Sequence, residues 1–186
     1  MTQYGFYLDQ SICVGCFACQ MACKDWYDTE TTAYRQVKPV EEGRFPATRL
    51  SFLSTACMHC ENPPCVQVCP VGCITKRPDG VVVQDSSQCI GCRYCSWACP
   101  YSAPKFIPER SRVEKCNLCV DRLSAGQEPI CVAACITRAL QWGDIAELEK
   151  RASITRQIPG LPDPNITKPA MIVTPPKERV KTNRFT

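Results

Sequence analysis

The chain has 186 residues, of which 45% are apolar and 22% charged, with sixteen prolines, seventeen cysteines and a formal charge of +4. That length fits one domain or two small intertwined modules, and no stretch approaches the run of about 18 apolar residues that a bilayer span requires. An odd number of cysteines in tight runs excludes an ordinary disulfide framework, and the N-terminal MTQYGFYLD, with no basic region before an apolar stretch, is not expected to be a secretory signal.

In chain order, Tyr4–Leu8 reads as a strand that turns at Asp9 into a first cysteine group, Cys13, Cys16, Cys19 and Cys23. Residues 24–50, with Trp26, Tyr27, Tyr34 and Phe45 among charges, form an insertion that serves as a packing lid or a docking surface. A second group, Cys57, Cys60, Cys65 and Cys69, closes on Pro70, and the odd Cys73 follows four residues after Cys69. Val81–Val83 reads as another strand, turning at Asp85 into a third group, Cys89, Cys92, Cys95 and Cys99, which closes on Pro100. The fourth group is Cys116, Cys119, Cys131 and Cys135. From Arg151 onward, Pro159, Pro162, Pro164, Pro169, Pro175 and Pro176 favour extended backbone with few internal hydrogen bonds. Ile166, Met171, Ile172 and Val173 need covering there, so residues 151–186 are expected to form an extended, proline-rich arm lying along a partner.

The first and third groups share the spacing C-x2-C-x2-C-x3-C, the run with which bacterial ferredoxins hold cubane iron–sulfur clusters. Structural zinc is the rival chemistry, since C-x2-C pairs are its usual knuckles, and the fourth group taken alone could be a four-thiolate zinc site. The first and third groups do not fit zinc. Four groups of four therefore predict four 4Fe–4S clusters, with iron held through sixteen cysteines. Each oxidised cubane with its thiolates carries about −2, so four bring the loaded chain to about −4. The basic residues then read as counter-charge, Arg93, Lys115, Arg122 and Arg138 beside the cysteine groups in particular, and no nucleic-acid partner is expected. With so few apolar residues left for a core, the chain without its clusters is expected to be largely unfolded.

An internal repeat appears at an offset of 76 residues, where Asp9, Ser11, Cys13, Gly15, Cys16, Cys19, Ala22 and Cys23 fall on Asp85, Ser87, Cys89, Gly91, Cys92, Cys95, Ala98 and Cys99. Glycine at 15 and 91 is read as letting the backbone pass close to inorganic sulfide. The second and third groups resemble a complete small ferredoxin, which leaves the first and fourth to pair across it; spacing alone equally permits first with second and third with fourth. The expected fold is α+β and loop-rich: two intertwined bacterial-ferredoxin-like modules, one from residues 1–56 and 101–150, the other from 57–100. No catalytic constellation is present. His59 is read as a solvated or hydrogen-bonding neighbour of a cluster, Tyr94 and Trp97 as packing, and Cys73 as a small apolar side chain that ligates nothing.

Four cysteine groups in this order, with CPVG at 69–72, CIGCRYC at 89–95 and KCNLC at 115–119, resemble the iron–sulfur electron-transfer subunit of the dimethyl sulfoxide reductase family of molybdenum enzymes, over about residues 4 to 150. The resemblance implies four ligand sets. These are Cys13, Cys16, Cys19 and Cys135 nearest a catalytic subunit; Cys23, Cys116, Cys119 and Cys131 next; Cys57, Cys60, Cys65 and Cys99 third; and Cys69, Cys89, Cys92 and Cys95 facing a membrane partner. It also implies an electron relay between a quinol-oxidising membrane anchor and a molybdopterin subunit (molybdenum or tungsten) that reduces an S-oxide, N-oxide or oxyanion. Formate dehydrogenase subunits and free polyferredoxins are the alternatives. Members reach the outer face of the cytoplasmic membrane on the signal of their partner, and the cytoplasmic face is the other possibility. Ile136 departs from the proline that the pattern places after its last cysteine, which implies a local change of backbone only.

Overall fold

The structure, a computed structural model, describes residues 2–30 and 32–177. Its elements are short. In order they are β1 (Tyr4–Asp9), α1 (Ala18–Trp26), β2 (Gln36–Glu42), β3 (Arg49–Thr55), α2 (Pro64–Gln67), β4 (Ile74–Lys76), β5 (Val82–Gln84), α3 (Tyr94–Ala98), β6 (Lys105–Ile107), β7 (Arg112–Glu114), α4 (Val120–Ser124), α5 (Ile130–Ala133), β8 (Leu140–Asp144), α6 (Ile145–Leu148) and β9 (Met171–Thr174). This is a mixed helix–strand, loop-rich fold, as expected. Sixteen prolines and long cysteine loops leave little chain for longer elements.

A three-stranded sheet ordered β8-β1-β9 carries the middle of the molecule. β1 runs antiparallel to β8 with Tyr4 opposite Asp144, and parallel to β9 with Phe6 opposite Met171. Both faces of β1 are covered. Phe6 and Leu8 join the core that contains the cysteines, while Tyr7 faces Ile145, Leu148 and Ile172 beneath α6. Alternation along a strand puts successive side chains on opposite faces, so a strand buried on both must be apolar throughout. A second small core joins Cys65, Cys73 and Cys95 to Ile74, Val82 and Val113.

The sheet corrects part of the expected arm. Met171, Ile172 and Val173 are buried in the chain's own core, not left for a partner, whereas Ile166 is exposed. Parallel pairing between β1 and β9 joins opposite ends of the chain, which no local spacing could announce. Residues 178–186 of that expected arm lie outside the described residues.

The two repeat copies fold alike. The Ser11 N–H donates to Asp9 Oδ1 at 2.8 Å, and the Ser87 N–H to Asp85 Oδ1 at 3.0 Å. Helices α1 and α3 then start from Phe17 and Arg93, matching positions that both adopt left-handed backbone (φ 61° and 66°). Between these copies, the insertion at 24–50 forms the end of α1 and the β2–β3 hairpin. Its base packs inward: Tyr27 and Tyr34 stack with ring centroids 4.9 Å apart, and Tyr34 is buried. Its tip is free, with Phe45 91% exposed.

Tyr34 Oη donates to Glu114, whose carboxylate also takes Arg110 at 2.9 Å and Arg112 at 2.8 Å. Burial alone would raise the Glu114 pKa, but these three donors outweigh it and hold the carboxyl below its ordinary value. Its contribution to stability is therefore present at neutral pH and is lost as pH falls through that lowered value. Glu114→Gln should cost roughly 1–3 kcal/mol, read at pH 7 as a lower temperature for bleaching of the loaded protein. An unchanged bleaching temperature would remove Glu114 from the account of stability.

Candidate iron–sulfur sites

Each short helix that carries cysteines presents two of them one turn apart, toward neighbouring sites. In α1 these are Cys19 and Cys23; α5 holds Cys131, with Cys135 just past its end. The two helices pack against each other. Cys65 in α2 precedes Cys69, and Cys95 in α3 precedes Cys99, in the same manner, and these helices also pack together. Residues i and i+4 share a helix face but differ in height along it, so one helix serves two adjacent sites.

The structure brings cysteines of different groups together. Cys13, Cys16, Cys19 and Cys135 line one cavity with Ser54 and Leu140. Burial, opposed by the Gly15 N–H and reinforced by Cys19, Cys135 and Cys16, raises the Cys13 thiol. In a second set burial, Cys131 and Cys119 push Cys23 up to about 11, while Cys116, also raised by burial, feels Cys23, Cys57 and Cys131. In a third, burial leads and Cys57, Cys99 and Cys60 add to it, pushing Cys65 up to about 12. The fourth cavity is lined by Cys69, Cys89, Cys92 and Cys95, with Cys73 beside them. This is the first-with-fourth and second-with-third arrangement of groups. Ligation requires thiolates, so filling these sites displaces protons, as at Cys23, Cys60 and Cys65, where burial raises the thiol.

These residues fit iron–sulfur clusters. Sixteen thiols are the right donors, and backbone N–H groups already point at their sulfurs: Leu118 to Cys116 and Leu140 to Cys135, both at 3.4 Å, and Ala103 to Cys99 at 3.5 Å. Among the described residues no three His, Cys, Asp or Glu side chains converge as a single ion would need. The thiols of the first and fourth sets stand around cavities, which suits a multi-atom group better than zinc, whose bonds of about 2.3 Å draw its ligands tightly together.

Accessibility is graded across the sets. Cys16 is exposed and Cys13 half-buried in the first. All four of the second are buried, as are three of the third, Cys57, Cys60 and Cys65. Cys69, Cys89 and Cys92 of the fourth are half-buried. Exposed apolar side chains line the first and fourth cavities: Val14 (58%) and Phe17 at the first, Ile90 (64%) at the fourth.

Several expectations need correcting. His59 is not solvated: it is fully buried, its Nδ1 accepts the Val82 N–H at 3.1 Å, and its Nε2 lies 3.9 Å from Cys116 Sγ. Burial first, then Lys115 and Arg35, hold it neutral. The hydrogen-bonding half of that reading stands, but toward a cysteine of the fourth group. Tyr94 and Trp97 do pack, against each other at the surface with ring centroids 5.7 Å apart. Gly15 and Gly91 do have φ of +65° and +70°, yet what a side chain would strike is protein: the Phe52 ring at 2.4 Å and the Ser111 carbonyl at 2.7 Å. Of the four basic residues, Lys115 alone is buried, and its Nζ donates to the Val82 and Cys116 carbonyls. Arg93 and Arg122 lie over the Phe106 and Trp26 rings, and Arg138 holds the Val132 and Ala133 carbonyls. Sequence reasoning misses Arg35. It is buried among the cysteines, and no motif marks it.

Thiol-lined cavities in a mixed α+β fold define an iron–sulfur protein of the ferredoxin kind, and residues 48–145 match the 4Fe-4S dicluster domain family. Over 183 residues the chain is 42% identical to a chain of the anaerobic dimethyl sulfoxide reductase of Escherichia coli, covering 94% of this chain and 89% of that one. It is 40% identical over 177 residues to a sulfite dehydrogenase subunit of Allochromatium vinosum (83% and 74% covered). With the thiosulfate reductase electron transfer subunit of Salmonella typhi it shares 42% over 151 residues (79% of each). The chain belongs to the family of iron–sulfur subunits of dimethyl sulfoxide reductase and its relatives. It is an electron-transfer subunit of an oxidoreductase complex and not the catalytic subunit.

Proposed function

We propose that the chain holds four 4Fe–4S clusters in a row and carries electrons between a quinol-oxidising membrane anchor and a molybdopterin subunit that reduces an S-oxide, N-oxide or oxyanion. A bound cubane supplies a one-electron couple whose potential follows its burial, nearby charge and hydrogen bonds to sulfur. The observation that supports this reading is the graded accessibility: the first and fourth sets include exposed or half-buried cysteines beside exposed apolar side chains, whereas the second set and three cysteines of the third are buried. A relay needs contact with a partner at each end and shelter from solvent in the middle, and exposed apolar patches are where partners dock.

The proposed ligand sets are those the family pattern implies, in the order Cys13, Cys16, Cys19, Cys135; Cys23, Cys116, Cys119, Cys131; Cys57, Cys60, Cys65, Cys99; and Cys69, Cys89, Cys92, Cys95. Residues 1–56 with 101–150 would make one ferredoxin-like module and 57–100 the other. Among the described residues no helix is long and apolar enough to cross a membrane. We place the chain at the outer face of the cytoplasmic membrane, held there by its partners.

Anaerobically purified protein should contain about sixteen iron atoms and sixteen sulfides per chain. It should be brown, bleach on reduction and co-purify with a larger molybdenum or tungsten protein. About eight iron atoms with two zinc atoms would overturn the four-cluster reading, and full iron in a chain that purifies alone would overturn the complex.

A further inference from the structure

Three charged side chains are buried among the described residues: Arg35, Glu114 and Lys115. Glu114 is met by Arg110, Arg112 and Tyr34, and the Lys115 ammonium by two backbone carbonyls. Arg35 is not met in this way. It is 1% exposed, and one guanidinium nitrogen, Nη1, donates to the Ser54 carbonyl and hydroxyl at 3.2 Å each. Its Nε and Nη2 have no hydrogen-bond partner, and the Phe6 ring lies 4.2 Å from the guanidinium carbon. A cation removed from water with idle donors is unfavourable unless an anion stands beside it.

The groups that can supply that anion are the cysteines of two sets. Cys131, Cys116 and Cys23 of the second set and Cys19 of the first all act on the guanidinium, and together they outweigh the effect of its burial. The Arg35 backbone N–H is also directed at Cys23. The Ser54 hydroxyl that accepts from Arg35 lies 3.4 Å from Cys19 Sγ, so its own proton is free for that sulfur. One buried charge thus acts on the second site through space and reaches the first through a hydroxyl.

We propose that Arg35 sets the reduction potentials of the clusters at the first and second sites, favouring the reduced form of each with one guanidinium shared between them. The proposal rests on the four-cluster reading. Adding an electron makes a cluster more negative, and a fixed cation nearby stabilises that state; in a dry interior it does so strongly because little water screens it. A shared charge also moves the two potentials in the same direction.

The test is an EPR-monitored redox titration of the intact, anaerobically purified complex, with signals assigned to sites by Cys16→Ser and Cys119→Ser. Wild-type iron content and four titrating centres are checked first; fewer than four would overturn the cluster reading itself before any variant is compared. In Arg35→Gln, the reduced-to-oxidised ratio at a fixed potential should fall at least tenfold at the first and second sites, equivalent to about 59 mV for a one-electron couple. The third and fourth sites should not move, and Arg35→Lys, which keeps the charge, should recover most of the ratio. Full iron with unmoved potentials in Arg35→Gln, or an equal shift at all four sites, overturns the proposal. Should Arg35→Gln lose iron, Ser54→Ala decides: a fall confined to the first site supports it, and no change overturns it.

Discussion

Truncation after Lys150 is expected to destroy the folded, iron-loaded protein rather than merely detach it from a partner. The segment removed contains β9, which pairs with β1 along Phe6–Asp9 and buries Met171, Ile172 and Val173. Burying each such side chain is worth about 1.5–3 kcal/mol, and three of them approach the net stability of about 5–15 kcal/mol that a domain possesses. The backbone joins in: the Ala170 N–H donates to the Met58 carbonyl at 2.8 Å and the Glu61 N–H to the Lys168 carbonyl at 2.8 Å. The loop that carries Cys57 and Cys60 is thereby tied to the segment, and the Thr167 hydroxyl reaches the Cys60 thiol. Iron content, soluble yield and bleaching temperature of the truncated chain measure the effect. Ile172→Asp should reproduce most of it by placing an unpaired charge at a fully buried position. Wild-type iron content together with an unchanged bleaching temperature in the truncated chain would show that the segment is only an appendage.

The second large effect separates two cysteines whose sulfurs lie 3.5 Å apart. Cys69→Ser should remove about four of about sixteen iron atoms and one EPR-active centre, whereas Cys73→Ala should change neither. Both side chains line the cavity of Cys89, Cys92 and Cys95, so position alone does not choose between them. Their surroundings do. Cys73 is buried, and burial with the neighbouring Cys69 pushes its thiol up to about 12. At Cys69 the slight burial is outweighed by the Cys73 thiol and by backbone N–H groups of Val71, Cys73 and Ile74, which together hold it below the ordinary thiol value. A thiolate is the ligand form, and N–H groups aimed at sulfur favour it. Cys73 then packs beside Ile74 and Val82 as a small apolar side chain. Iron loss in Cys73→Ala with retention in Cys69→Ser would reverse the assignment.

What can be read along the chain is local. The strand Tyr4–Leu8, the turn at Asp9 repeated at Asp85, and the cysteine runs all follow from contacts within a few residues, where covalent reach leaves few choices. The arm misleads for the opposite reason: an apolar run flanked by prolines looks the same whether it covers a partner or its own sheet. His59 misleads similarly. Its place between Cys57 and Cys60 suggests an exposed loop, and only the approach of β5 and Cys116 buries it.

The sixteen cysteines and their spacing are by themselves enough to determine the cofactor chemistry, because a C-x2-C-x2-C run can present its thiols to one cube whatever surrounds it. The tertiary structure decided what spacing left open: that cysteines of the first group lie with Cys135 of the fourth and Cys69 of the second with the third group, that exposure differs between these cysteines, and that Arg35 is buried beside cysteines of the first and fourth groups. Each of these depends on packing between segments far apart in the chain. Their cost is the entropy of closing long loops, and the gain comes from side chains that no short window of sequence contains together.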